Sequence, residues 1–91
     1  MAGARGREWT AMSKAVEEVL SAWRDAERVL DSLPSVGRDH EDVALAVLRL
    51  RSAYRSLTDG SEASYAVIRT SHASVEETHA LLARVRGQAS A

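Results

Sequence analysis

Three side chains in this sequence are of the types that hold metal ions or move protons, and their spacing gathers them: His72, Glu76 and His79. At i, i+4 and i+7 they project from one side of a helix. Glu76-x-x-His79 is the helical Glu-x-x-His spacing with which carboxylate-bridged di-iron bundles build their centres from two of their helices. The chain has a single copy of that motif, so a centre of this kind needs an oligomer interface, or further carboxylates from Glu17, Glu18, Asp25 or Glu27 of an earlier helix. At about 1.5 Å rise per residue, His72 and His79 stand about 10 Å apart along the axis, which leaves Glu76 with His79 as the pair within reach of one ion. Two ligands do not hold it. We therefore assign the chain no metal and no cofactor, and keep His72, Glu76 and His79 as the residues from which a metal or cofactor site across an oligomer interface would be made. The competing expectation is two ordinary histidines at the edge between core and solvent, with Glu76 as an ion-pair partner.

Nothing else in the chain supports catalysis, and we expect no enzyme. There is no cysteine, hence no thiolate nucleophile or disulfide framework. The serines fall on helical stretches with no strained turn to expose them, and no glycine-rich loop is present to cradle a phosphate. A net charge of -1, from 12 basic and 13 acidic residues, gives no bulk field to attract nucleic acid or an anionic membrane. Arg49, Arg51 and Arg55 around Tyr54 are offset by Asp39, Glu41 and Asp42 and read as a solvated face. No apolar run approaches the ~20 residues that span a bilayer. The N-terminal MAGARGREW runs into a charged amphipathic segment and lacks the apolar core of a secretory signal. The expectation is a soluble, cytoplasmic protein whose partner is itself, another protein, or both, with no nucleic acid and no membrane.

The elements that would position these residues are helical. The middle of the chain, EDVALAVLRLRSAYRSLT, places Val43, Val47, Leu50, Tyr54 and Leu57 at alternating steps of four and three, a stripe that faces one partner. Leu45 and Leu48 fall well away from that stripe, so the first half of this helix is apolar nearly all round and needs cover on a second side. Before it, Trp9, Met12, Val16, Val19, Trp23, Ala26, Leu30 and Leu33 keep three-four spacing over more than three heptads. Trp9 and Trp23 lie two heptads apart on that stripe, and tryptophan serves both as core filler and as interface anchor. Pro34 ends this helix and Gly37 adds a second break. Asp39 offers a cap to the next helix, with Glu41 and Asp42 in its first turn. Gly60 closes the second helix, and Asp59 with Glu62 resembles a capping pair for the third. That third helix carries Val67, Ile68, Val75, Leu81, Leu82 and Val85 in its apolar stripe, with Ser71, Ser74 and Thr78 among them. Such a helix depends on its neighbours for stability.

The 91 residues contain no Phe, so the core must be built from Val, Leu and Ala. We expect an all-α fold: an up-down-up three-helix bundle, a helical hairpin plus a third helix, with coiled-coil-like packing at roughly 20° crossings. The helices span about 7–32, 40–58 and 61–86 within a single domain at 7–86, with a disordered tail at 1–6 and a frayed one at 87–91. A reversal after Thr58 is preferred to one kinked helix, because it lets the two apolar stripes pack together. Trp9, Trp23, Leu45 and Leu48 are the candidate interface residues, and an oligomer follows from the uncovered leucines.

In size, helical content and lack of cysteine the chain resembles the Trp-x-Gly family of small helical-hairpin proteins exported by type VII secretion. Its motifs differ. The turn is Leu33-Pro34-Ser35-Val36-Gly37 without tryptophan, Trp23 is followed by Arg24 and Asp25 inside a helix, and Arg69 stands four residues after Tyr65, where the family's export signal has an acidic residue. The resemblance implies a substrate or accessory of a specialised export system, and it is one of shape, so no family is recognised. The first expectation of function is a small structural or protein–protein interaction module that self-associates. The metal or cofactor bundle and the export role are the alternatives.

Overall fold

The computed structural model describes residues 2–59 and 65–90, with side chains over 11–59 and 65–87. Three α-helices account for nearly all of these residues: α1 (Ala2–Ser32), α2 (Arg38–Thr58) and α3 (Tyr65–Ser90). Every helix packs against both of the others. The fold is an all-α three-helix bundle drawn out along its axis, with extents of 53 × 22 × 17 Å.

α1 stops where Pro34 requires it. Its last turn tightens through a Leu33 amide to Leu30 carbonyl bond of 3.2 Å, and the Ser32 hydroxyl donates to the Val29 carbonyl at 2.7 Å, satisfying groups that helix ends leave open. At its other end α1 begins at Ala2, ahead of the expected start near Arg7. Residues 2–6 have no apolar pattern, but Ala2, Ala4 and Arg5 are strong helix formers, and extending an existing helix avoids the cost of nucleation. α3 runs to Ser90, beyond the expected end near Arg86.

The start of α2 differs from the expected one. The cap residue is Gly37, at φ 118°, and no side chain caps the helix; Asp39 lies inside the first turn. A glycine tolerates this positive φ where residues with a Cβ do not, so the chain redirects in a single residue and the helix opens ahead of Asp39. The Gly37 carbonyl accepts the first helical bond, from the Glu41 amide at 3.2 Å. The expected signals at Gly60, Ser61 and Glu62 lie outside the described residues.

The chain does reverse between α2 and α3. Asp42, early in α2, meets Arg84, late in α3, at 3.2 Å, and Arg49 meets Glu77 at 3.9 Å, so the two helices run antiparallel. A single kinked helix would hold these pairs far apart.

The core follows the expected stripes in α2 and α3 and is rotated in α1. In α2, Val43, Leu50 and Leu57 are buried together with Ala46, and Val47 and Tyr54 pack at the margin. In α3 the innermost line is Ser71, Val75, Thr78, Leu82 and Val85. Both buried hydroxyls are satisfied within their own helix, Ser71 to the Val67 carbonyl and Thr78 to the Ser74 carbonyl, each at 2.8 Å, so neither leaves an unpaired polar group inside. In α1 the buried line is Ala15, Val19, Ala22, Ala26 and Val29, while Val16, Trp23 and Leu30 pack against its edge. The alanines take the centre because α1 faces two helices at once, and small residues there let both approach.

Leu50 is fully buried, so Leu50→Ala should lower stability by about 2–5 kcal/mol, the range for emptying a packed leucine site, whereas Arg51→Ala, one residue on and exposed, should stay within about 0.5 kcal/mol. Denaturant melts of the two variants check the rotation of α2; a larger loss at Arg51 than at Leu50 would contradict it.

Candidate functional site

Two places gather the residues singled out by the sequence. The first is an exposed edge where α1 meets α3. His72 projects from α3 with its ring between two carboxylates: Nδ1 lies 3.5 Å from Glu18 Oε2 on α1, and Nε2 lies 3.4 Å from Glu76 Oε1, one turn along its own helix. The i,i+4 spacing supplies Glu76, and the packing of α1 on α3 supplies Glu18. The two ring nitrogens point away from one another, so these carboxylates sit on opposite sides of the imidazole and cannot join it around one ion. His79 is exposed and, among the described residues, takes part in no hydrogen bond or ion pair with this group. Glu76 stands here as an ion-pair partner of His72, the contact its i,i+4 spacing allows. Among the described residues no group of three or more His, Asp or Glu side chains converges as metal ligands would. The arrangement is a long surface contact between α1 and α3, with His72 set between Glu18 and Glu76.

The second place is the face of α2 turned away from the core. Leu45 is 47% exposed and Leu48 is 56% exposed. These are the two leucines that the helical period places off the stripe, and no part of the described chain covers them. Beside Leu45 runs the groove between α2 and α3. An open cleft of about 370 Å³ is lined by the small side chains Ser52, Ala53 and Ser56 of α2 and Ala66, Thr70 and Ser74 of α3. A second hollow, of about 250 Å³, continues toward Leu45 and Leu81, and the Arg49–Glu77 ion pair stands between the two.

The remaining candidates divide. Trp23 belongs to the α1–α2 contact inside the bundle: its ring centroid is 6.0 Å from that of Tyr54, tilted by 59°, and its indole N–H donates to Glu27 Oε1 at 2.8 Å. The Trp9 side chain lies outside the described residues. Arg49 is held by Glu77 on the exposed surface, and Arg51 and Arg55 are exposed along α2. Counting apolar residues misses the groove, because most of its lining is serine, threonine and alanine, with Val67 and Arg49 the larger residues; the available signal is the recurrence of Ser52 and Ser56 at i,i+4. Among the described residues no helix is long and apolar enough to cross a membrane.

No protein-family model matches the chain, and no curated protein and no solved structure matches it either. The site must be read from its own geometry.

The His72 contacts are long and more than half exposed on the histidine side, and surface pairs of this kind are screened by water and salt. His72→Ala should accordingly shift the unfolding free energy by less than about 1 kcal/mol. A loss several times larger in denaturant melts would show that this edge holds the α1–α3 contact together.

Proposed function

We propose that this chain is a small helical structural and protein–protein interaction module that acts by contact and associates with itself, with another protein, or with both, through the outer face of α2. The observation that carries the reading is the exposure of Leu45 and Leu48, at 47% and 56%, on the side of α2 opposite its buried residues. An exposed leucine on its own is ordinary; two on the outer face of one helix, with Leu45 also lining the hollow between α2 and α3, offer an apolar surface on which another helix can pack. The antiparallel pairing of α2 and α3, with three-four spacing along each, supports reading the unit as an up-down-up, coiled-coil-like bundle, and a further helix laid on the α2–α3 groove extends the same packing. The size of the chain points the same way: a bundle this small has a thin core, and association commonly adds the burial that such a core lacks.

Sedimentation equilibrium from low to high micromolar concentration tests the reading. The apparent mass should rise from the 9.9 kDa of one chain toward at least twice that value, and Leu48→Glu should return it to 9.9 kDa without loss of helical circular dichroism. A mass fixed at one chain across the whole range, with no partner retained through this face, contradicts the reading.

A further inference from the structure

We draw no further inference here: the strongest candidate, the open cleft between α2 and α3 with Arg49 in its lining, is walled mainly by a stripe of small side chains, and among the described residues no buried polar side chain is left unpartnered to show what would fill it.

Discussion

Everything in this bundle depends on small side chains at the centre of three helices that must all be present at once. Ala22 and Ala26 are fully buried in α1, Ala46 is nearly so in α2, and Ser71 and Thr78 occupy equivalent places in α3. With no Phe in the chain, the buried apolar area comes from leucines and valines such as Leu50, Leu82, Val19 and Val43 set around these small residues. The stability must come from close approach, in which many weak dispersion contacts add up along the helix lengths. That explains why two hydroxyls are tolerated in the innermost line of α3. Each is bonded back to its own helix, so it behaves as a small, satisfied group where a bulkier side chain would push the helices apart.

The same constraint accounts for what the surface looks like. A thin core cannot absorb every apolar residue of α2, because its neighbours cover one broad side and leave the other in water. Leu45 and Leu48 are the residues of α2 left over, and the groove between α2 and α3, lined mostly by serine, threonine and alanine, is the outer edge of the close packing that the core requires. The ion pairs Asp42–Arg84 and Arg49–Glu77 fix the antiparallel register of α2 and α3 at that edge without adding much energy, since both are exposed.

Much of the fold was legible in the sequence because helical periodicity is a direct record of which side of a helix is dry. Pro34 marked the end of α1, and Val43, Leu50 and Leu57 marked the buried side of α2. The rotation of α1 was harder to read. Val16, Trp23 and Leu30 are the large residues of its stripe and attract the eye, yet Ala15, Ala22 and Val29 are more buried, because a helix that faces two partners buries a wider arc and places its smallest residues at the centre. Asp39 has the chemistry of a cap, but Gly37 takes the turn first through a positive φ that suits glycine. At the histidine edge, Glu76 was legible from spacing along one helix. The choice of His72 over His79 as its partner, and the arrival of Glu18 from α1, depend on how α1 and α3 are set against each other, which no local spacing records.

The central claim is that the outer face of α2 is an association surface, and amide chemical shifts measured while a labelled sample is diluted test it most directly. Concentration-dependent shifts are expected at Leu45, Leu48, Ser52 and Ser56 and at their neighbours along α3, with the amides of the outer side of α1 unchanged. Shifts confined to α1, or a spectrum that does not change with dilution in a sample whose mass is that of one chain, would contradict it.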